Sequence, residues 1–498
     1  MTQPLPGIEH VIVLMFENRS FDNVLGGLYP QKSQQGSYYG LKGNEWNPNP
    51  RSNNEPVYVW QGPTGHSTMV MPYPDPGELF SDMHEQIYGS SGKGPETMQG
   101  FVANYLRQPP SPDGVSPVAK NIMQYYAPGP AGNVPITSAL ASAYAVSDMW
   151  FASGPVQTLA NRIFAHCATP SVYHKNGAVC AVLNNTDITD RCFDPDGSVL
   201  DKPVFKLLDD AAKSGSWPWP NRLAWKVYYH DWPLSAFVKY VDDNWATFED
   251  GRVYQFDNGE EGDFPHDVAN DLPTYCFIEP RYTDYFGGTP NSNHPGGSTI
   301  DEAPPAISVC HGETLLKFVY STLYNGPRDL FAKTLLIVIY DEHGGLYDHM
   351  PPPKAVSPFR AGFVSGYDYS HYGVRVPAIL INPFIQPNTI FRPPPEGHAF
   401  DHTSITSTLR AQFGLGGPLT KRDQYAPTLT NLINPPQPRN PFSPDKLPAF
   451  TCPPGAPVAA RLPEAGPRPG SIAAVIKQAI ESPRNQERVR RLKETSGQ

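Results

Sequence analysis

Five largely apolar runs restrict the fold of this chain more than any other feature of its sequence. They are VIVLMF at 11–16, LAWKVYYH at 223–230, TYCFIEP at 274–280, TLLIVIYDE at 334–342 and VPAILINPF at 376–384. Most of these runs do not alternate with polar residues, which is typical of strands in a sheet that is covered on both faces. They therefore predict the central strands of an α/β fold with a mostly parallel sheet.

Helical patterns lie between these runs. They are TLANRIFAHCA at 158–168, GETLLKFVYSTLYN at 312–325 and TSITSTLRAQFG at 403–414, the last of which opens with a Thr-Ser cap and ends on glycine. Because strands and helices alternate, we expect helices on both faces of the sheet, with long polar loops inserted between the elements.

The chain divides by composition into three parts. Residues 1–433 contain every predicted strand of the sheet, and we expect them to form one domain. Residues 434–470 are rich in proline and predict an extended segment. SIAAVIKQAIE at 471–481 predicts a short amphipathic helix, followed by a charged end up to residue 498.

Charge and hydropathy argue against two kinds of partner. The formal net charge of −10 and the isoelectric point near 5.8 argue against nucleic acid, although a local pocket for one phosphate group is compatible with them. No apolar run approaches the roughly 18 residues of a transmembrane segment. Met1–Gly7 lacks the charged start of a signal peptide, so we expect a cytoplasmic protein as written, or a periplasmic or secreted one if a signal precedes it. The oligomeric state stays open.

The cysteines give a weak signal. The six cysteines include no CxxC pair, which argues against a zinc knuckle. Their even number permits disulfides, and Cys180 with Cys192 is the pairing that the sequence favours.

Two predicted strands end in acidic and amide residues. Glu17 and Asn18 follow VIVLMF, and Asp341 and Glu342 follow TLLIVIY. Ligands of parallel sheets bind at the carboxyl ends of the strands, so both pairs are expected at one edge. Three carboxylates and an amide oxygen suit a divalent cation. A helix cap or an ion pair is the alternative for each pair, and the glycines of DEHGGLYDH at 341–349 favour the ligand site because they permit a close backbone approach.

A hydroxyl group and an arginine stand at the start of a predicted helix. Thr158 precedes Asn161 and Arg162 in QTLANRIFAHC, and a plain helix cap is the alternative for this threonine. A helix N-terminus beside an arginine is also a site for anions. A hydroxyl, a cation site and an anion site together indicate phosphoryl transfer through a covalent intermediate.

These segments together resemble the bacterial phosphoesterase family of phospholipases C and acid phosphatases, within the alkaline-phosphatase superfamily. Plant non-specific phospholipases C look similar. The motifs that carry the resemblance are ENRSFDN at 17–23, TLANR at 158–162, NHPGG at 293–297, YDEHGGLYDHMPPP at 340–353, GVRVPAILINPF at 373–384 and DHTSI at 401–405. The resemblance implies an alkaline-phosphatase-like fold and a phosphoesterase catalytic domain over residues 1–433.

The resemblance also implies a set of site residues. By it, one or more divalent metal ions, with calcium and zinc as alternatives, are bound by Glu17, Asn18, Asp341 and Glu342. Thr158 stands at the position of the nucleophile, which is serine or threonine in the family. Asn161, Arg162 and the helix N-terminus would then stabilise the phosphate oxygens.

Four of the histidines in or near these motifs bear on the site. His294 matches a histidine near the substrate phosphate and is the candidate to protonate the leaving oxygen, with a surface loop histidine as the alternative. His230 ends WKVYYH and is either a further site residue or a structural histidine. His349 and His402 lie within family motifs, and we assign neither a role.

Three departures from the family pattern bear on the substrate. Asn23 stands where many relatives have His, Ala160 where many have Pro, and Gly296 where a second Pro is common. The extra C-terminal domains of larger bacterial phospholipases C are also missing, which favours an acid phosphatase or a short phospholipase. We expect phosphate esters or phospholipids as substrates, and soluble esters to be hydrolysed at least as readily as lipids.

The sequence therefore predicts a metal-dependent phosphoric ester hydrolase that forms a phosphothreonine. A cation-dependent binding module without turnover is one alternative. A metal-independent serine esterase is another, but no G-x-S-x-G motif occurs.

Overall fold

The computed structural model describes most of the 498 residues. The described ranges are 5–29, 38–90, 92–173, 179–190, 203–215, 217–246, 251–296, 308–327, 329–359, 367–433, 439–452 and 470–496.

Fourteen strands lie in these ranges. They are β1 His10–Phe16, β2 Trp46–Asn49, β3 Glu55–Tyr58, β4 Trp60–Gln61, β5 Gln124–Tyr125, β6 Ala145–Ser147, β7 Ser171–Tyr173, β8 Val179–Ala181, β9 Trp225–Tyr229, β10 Val253–Gln255, β11 Tyr275–Glu279, β12 Thr334–Tyr340, β13 Ala378–Ile381 and β14 Thr389–Ile390.

Sixteen α-helices accompany the strands in the same ranges. They are α1 Phe21–Leu25, α2 His66–Met69, α3 Phe80–Tyr88, α4 Phe101–Tyr105, α5 Ala119–Ile122, α6 Pro135–Ala143, α7 Thr158–Cys167, α8 Asn185–Asp190, α9 Val204–Ala212, α10 Lys239–Ala246, α11 Phe264–Ala269, α12 Val309–Asn325, α13 Thr403–Phe413, α14 Lys421–Tyr425, α15 Ile472–Glu481 and α16 Gln486–Ser496.

Eight strands form the central sheet, in the order β10-β9-β11-β1-β12-β13-β6-β14. The strands from β10 to β12 are parallel, whereas β13 runs antiparallel to both of its neighbours, β12 and β6. The mostly parallel sheet predicted from the apolar runs is confirmed. The direction of β13 could not be read from its sequence, because a buried antiparallel strand is as apolar as a parallel one.

Helices cover both faces of this sheet. Every residue of β1 and β12 is buried. On one face, the His166 ring of α7 contacts Phe277 of β11 at 4.6 Å. The strand register places Tyr340 of β12 on the opposite face. There, burial and the nearby carboxylate of Glu313 in α12 raise the pKa of the Tyr340 hydroxyl. The predicted α/β architecture with helices on both faces is therefore confirmed.

Two predicted helix caps differ from the structure. α7 begins at Thr158 as predicted, but the N-cap is Gln157. α13 ends before Gly414, which adopts φ 65°, as the sequence indicated, whereas its N-cap is His402 rather than the Thr-Ser pair. The two boundaries differ because a Ser or Thr that precedes an apolar run can be either the N-cap or the first helical residue.

A smaller apolar core lies beside the main one and is built around α3, α4 and α5. Its members are Val59, Ile87, Met98, Phe101, Val102, Tyr105, Leu106, Ile122, Met123, Leu346, Tyr347 and Val374. Leu346 and Tyr347 join it to the segment after β12, so it packs next to the carboxyl edge of the sheet. The loop 71–79 leads into α3 and reaches the site from this side.

A disulfide joins α12 to the C-terminal part of the chain. It links Cys310 to Cys452, which are 142 positions apart, whereas Cys167 and Cys276 are free and buried. The predicted pair of Cys180 and Cys192 lies outside the side chains that the structure describes. No helix in the described ranges has the length and apolarity needed to cross a membrane.

Candidate active site

Neighbouring strands deliver the four predicted metal ligands to one place. β1 and β12 pair in parallel through Phe16 and Tyr340, their last residues. Glu17, Asn18, Asp341 and Glu342 follow directly, and all four are fully buried. The Asn18 backbone N–H donates to Asp341 Oδ1 at 3.0 Å, so the two strand ends are joined directly.

Asp341 has the most hydrogen-bond donors of the three carboxylates. Its Oδ1 also accepts from the Glu342 N–H at 2.7 Å, and its Oδ2 accepts from Arg162 Nε at 3.0 Å. Burial raises the pKa of Asp341, and Arg162 and the two backbone N–H groups oppose this shift. Its orientation is therefore fixed by the protein itself.

Glu17 and Glu342 instead hold carboxylate oxygens without donors. Neither oxygen of Glu17 has a hydrogen bond of good geometry with any described residue, and the same is true of Glu342 Oε1. Burial raises the pKa of Glu17 to about 8, although His294 opposes the shift. Burial, together with Glu78 and Asp341, raises the pKa of Glu342 well above its usual range. Buried acceptors of this kind fit a divalent cation, which would replace the missing donors.

Asn18 connects the ligand set to the rest of the site. It adopts a left-handed backbone with φ 56°, which asparagine tolerates better than most residues. Its side-chain Nδ2 donates to Glu78 Oε1 at 2.8 Å and lies 3.1 Å from His294 Nε2. Its Oδ1 accepts from the Thr158 hydroxyl at 3.4 Å.

Gly344 packs closely against the Asn18 backbone. It has φ +61°, and a Cβ at this position would lie 2.1 Å from the Asn18 carbonyl oxygen. The close backbone approach predicted from DEHGG therefore occurs, but it is made to Asn18 itself. The turns after β1 and β12 interlock as a result.

Thr158 lies at the first residue of α7 with its side chain buried. Because Gln157 is the N-cap, the Thr158 hydroxyl does not cap the helix, and it donates to Asn18 Oδ1 instead. The nearby Leu159 N–H donates to Asn185 Oδ1 at 3.1 Å. The structure thus places this hydroxyl beside the proposed ligands.

Asn161 and Arg162 have other partners than those predicted. The Asn161 Nδ2 donates to the Val156 carbonyl at 2.7 Å, and its Oδ1 accepts from the Gly154 N–H, so its side chain fixes the loop before α7. Arg162 is paired with Asp341 and also donates to the Met15 and Phe16 carbonyls. Asn161 thus anchors this loop in the structure, and its contact with phosphate oxygens stays a prediction. Arg162 Nη1 is buried without a partner among the described residues.

His294 stands on the opposite side of Asn18 from Thr158. Its Nδ1 donates to the Pro295 carbonyl at 2.6 Å, and its Nε2 lies 3.5 Å from Glu78 Oε1. Burial lowers the pKa of His294, but Glu78 and Asp75 outweigh it and hold the pKa well above the usual range. The two carboxylates thus favour the imidazolium form, whereas the Asn18 Nδ2, 3.1 Å from Nε2, is placed to donate to the neutral ring.

Asp75 and Glu78 were not predicted from the sequence. Together with His294 they place ligand atoms within 4.8 Å of one another. They lie in PYPDPGELF at 72–80, where two acidic residues stand between prolines and a glycine. That composition indicates a rigid loop, and it is the signal in the sequence that could have pointed to Asp75 and Glu78 as site residues.

His230 lies at the same sheet edge, at the end of β9, two strands away from β1. Its Nδ1 is 3.2 Å from the Glu279 carbonyl oxygen, and its ring packs on Phe256 at 4.5 Å. Burial lowers its pKa to about 3. These contacts favour the structural alternative for His230.

His402 and His349, to which the sequence assigned no role, make structural contacts around the site. His402 Nε2 donates to the Asp341 carbonyl at 2.5 Å, and burial lowers the pKa of His402 to about 4. His349 Nδ1 lies 2.7 Å from Asp22 Oδ2. Arg375 bridges Asp22 and Asp348 at 2.9 and 3.0 Å and completes that second cluster.

Comparisons with known proteins agree on the type of chain. Residues 8–416 match the sequence model described as the Phosphoesterase family. The chain is 32% identical over 452 residues to non-specific phospholipase C3 of Arabidopsis thaliana, covering 87% of this chain and 74% of that protein. It is 26% identical to phospholipase C A of Mycobacterium tuberculosis, covering 86% and 79%. Among solved structures, a protein in the alkaline phosphatase superfamily from Vibrio parahaemolyticus matches with a TM-score of 0.31 and 14% identity, covering 60% of this chain and 64% of that one.

Proposed function

The chain belongs to the Phosphoesterase family, and from this premise we propose that it hydrolyses phosphoric esters with a divalent cation and a phosphothreonine intermediate. The observation that carries the proposal is the buried Thr158 hydroxyl, 3.4 Å from Asn18 Oδ1. Asn18 in turn directly follows Glu17, whose carboxylate has no hydrogen bond of good geometry with any residue that the structure describes. A nucleophile and a cation site thus adjoin in one buried place.

The residues that would hold the cation are Glu17, Asn18, Asp341 and Glu342. The donor-free oxygens of Glu17 and Glu342 fit this role. When bound, a divalent cation supplies positive charge that lowers the pKa of a nearby hydroxyl and neutralises phosphate oxygens. The preference of such oxygen ligands is for hard cations, so calcium is a candidate, and zinc also binds carboxylates.

Thr158 would be the nucleophile. Its hydroxyl proton would pass to solvent water and be regained from water when the threonine is released. Oγ1 attacks phosphorus, and the Oγ1–P bond forms as the bond from phosphorus to the leaving oxygen breaks. Asn18 orients Oγ1 through its Oδ1, and Asn161 fixes the loop that precedes it. Arg162 keeps the buried Nη1 for a phosphate oxygen.

His294 would move the proton. As the imidazolium that Glu78 and Asp75 favour, it donates a proton to the leaving oxygen. In the second step, a water molecule gives a proton back to His294 and attacks phosphorus. The Oγ1–P bond then breaks, which releases phosphate, or a phosphorylated headgroup, and restores Thr158.

The names of the relatives support a substrate class. Those compared above are named phospholipases C, which supports phospholipids as substrates of this chain beside soluble phosphate esters. Turnover of a soluble nitrophenyl phosphate and of micellar phosphatidylcholine, measured side by side, distinguishes the two. We expect the soluble ester to be hydrolysed at least as fast, and a strong preference for the micelle would place the chain with the lipid enzymes.

Replacement of Thr158 tests the covalent step. Thr158→Ala should keep the bound metal and lose turnover by about three orders of magnitude or more, because the proposed nucleophile is removed. Thr158→Ser is the matched control and should retain much of the activity, since only a methyl group is lost. Substrate trapped on the wild type at low pH should leave phosphate on the TLANR peptide. Near wild-type turnover of Thr158→Ala would mean direct attack by water.

A further inference from the structure

Arg19 is a buried arginine beside the site. Its guanidinium has no carboxylate partner among the residues that the structure describes. Arg19, Arg162, Arg375 and Arg422 are fully buried. The other three each form an ion pair with an aspartate at 2.9–3.1 Å. No ion pair of Arg19 occurs within the described ranges, and one of its nitrogens, Nη2, lacks a hydrogen bond there. A buried charge without a counter-charge is costly, so the arrangement calls for a reason.

The bonds that Arg19 does make reach the loops of the site. Its Nε donates to the Asn293 carbonyl at 2.7 Å, and its Nη1 donates to the Met71 carbonyl at 2.6 Å. Asn293 immediately precedes His294, and Met71 opens the loop that carries Asp75 and Glu78. Charged donors make the stronger hydrogen bonds to carbonyl oxygens.

Other bonds hold each of these two loops separately: the Asn293 Nδ2 donates to the Tyr340 hydroxyl at 2.7 Å, and the Tyr105 hydroxyl donates to the Pro74 carbonyl at 2.9 Å. Asn293 has a left-handed backbone with φ 73°. The Gly296 N–H donates to the Pro72 carbonyl at 3.2 Å, so the loops also support each other. Arg19 directly follows Asn18, and its guanidinium therefore ties both loops to the strand end that carries Glu17 and Asn18.

We propose that Arg19 is a positioning residue that holds His294 in register with Asn18 and Thr158 for proton transfer to the leaving group. The inference rests on the proposed function, since it assigns Arg19 to the His294 step. The hydrogen bond from Arg19 to Asn293 fixes the position of the adjacent His294 ring, whose Nε2 lies 3.1 Å from Asn18 Nδ2. A shift of about 1 Å in such a group is enough to slow a reaction by about 100-fold.

The test uses esters that differ in their need for an acid. In Arg19→Lys, turnover of an alkyl phosphate should fall by about 10- to 100-fold, because its leaving oxygen must be protonated. The kcat/KM of nitrophenyl phosphate should fall by no more than about threefold, because this constant reports only the first step and the leaving group of this ester departs unprotonated. Bound metal, measured in the same samples, should not change. Arg422→Lys, in a buried arginine bound to Asp401 away from His294, is the matched control and should affect both esters equally.

A second background separates positioning from mere structure. In His294→Gln, the further change Arg19→Lys should alter alkyl phosphate turnover by less than about threefold, because the group it positions is gone. Equal losses on both esters, or an undiminished loss in the His294→Gln background, would overturn the proposal. If Arg19→Lys does not fold, Arg19→Met keeps the volume, removes the buried charge and allows the same comparison. The metal content and the activities of the Thr158 variants do not depend on Arg19. They therefore test the proposed function separately from the role of Arg19.

Discussion

Two clusters of carboxylates and histidine lie after the same two strands, yet they are completed in different ways. The arginine cluster, formed by Asp22, Asp348, His349 and Arg375, contains its own cation. The catalytic cluster, formed by Glu17, Asn18, Glu78, His294, Asp341 and Glu342, retains carboxylate oxygens that have no donor in the described part of the chain.

The pKa shifts follow this difference. Burial opposes ionisation of Asp22, but His349 and Arg375 outweigh it and lower the pKa of Asp22. In the catalytic cluster, burial raises the pKa of Glu17 to about 8 because the nearby cations do not outweigh it. The same residue types thus make an ion-pair network where Arg375 and His349 satisfy the carboxylates. They make a candidate metal centre where Glu17 and Glu342 keep oxygens without donors among the described residues.

Neutralising one carboxylate in each cluster tests the contrast directly. Glu17→Gln should lose the bound metal and reduce turnover on the order of 10³-fold, since an uncharged amide replaces a cation ligand. Asp348→Asn should keep its metal, because Arg375 occupies that cluster. Elemental analysis of both purified variants, together with an ester assay, measures this. Metal loss in Asp348→Asn with retention in Glu17→Gln would reverse the two assignments.

Removing Arg375 should damage stability rather than chemistry. Arg375→Met leaves Asp22 and Asp348 buried without their counter-charge, and we expect the free energy of unfolding to fall by about 3–5 kcal/mol. Denaturant titration measures the effect. Arg107→Met is the control, because it breaks an exposed pair with Glu85 and should cost less than about 1 kcal/mol. A similar small cost at Arg375 would mean that the two clusters do not differ as described.

The metal-free protein should also respond to pH through Glu17. The folded state holds the Glu17 proton up to about pH 8, whereas the unfolded chain releases it near its ordinary pKa. The free energy of unfolding should therefore fall as pH rises between these values, by on the order of a few kcal/mol. Urea titrations in chelator at pH 5.5 and 8 measure it, and Glu17→Gln should flatten the difference. An unchanged slope in that variant would contradict the assignment.

His230 should mark the outer limit of the catalytic cluster. Because its contacts are with Glu279 and Phe256, His230→Gln should change kcat by less than about threefold, in contrast with loss of a general acid, which costs 10²–10⁴. A steady-state assay at neutral pH is sufficient. A loss of 100-fold or more would extend the cluster to β9.

The strand ends could be predicted from the sequence, and the loops could not. Glu17, Asn18, Asp341 and Glu342 follow apolar runs whose neighbours in a parallel sheet share one edge, so their proximity follows from the fold class. Asp75 and Glu78 lie on a loop without periodicity, and nothing local shows where it returns.

Pairings across long distances were hidden for the same reason. Arg375 pairs with Asp22 at a separation of 353 positions, and Cys310 pairs with Cys452 at a separation of 142. Neither residue pair has a spacing that distinguishes it from the other charges or cysteines. The fold class was accessible because it depends on pattern, whereas each of these contacts depends on the complete path of the chain.

The contact between Gly344 and Asn18 limits how this site can be re-engineered. A side chain at position 344 would overlap the Asn18 carbonyl oxygen. The turns that carry the two ligand pairs, after β1 and after β12, therefore depend on each other. A designer who grafts one strand end onto another scaffold must carry the other with it. The same coupling means that a library varied at residue 18 alone samples only those residues that tolerate its positive φ.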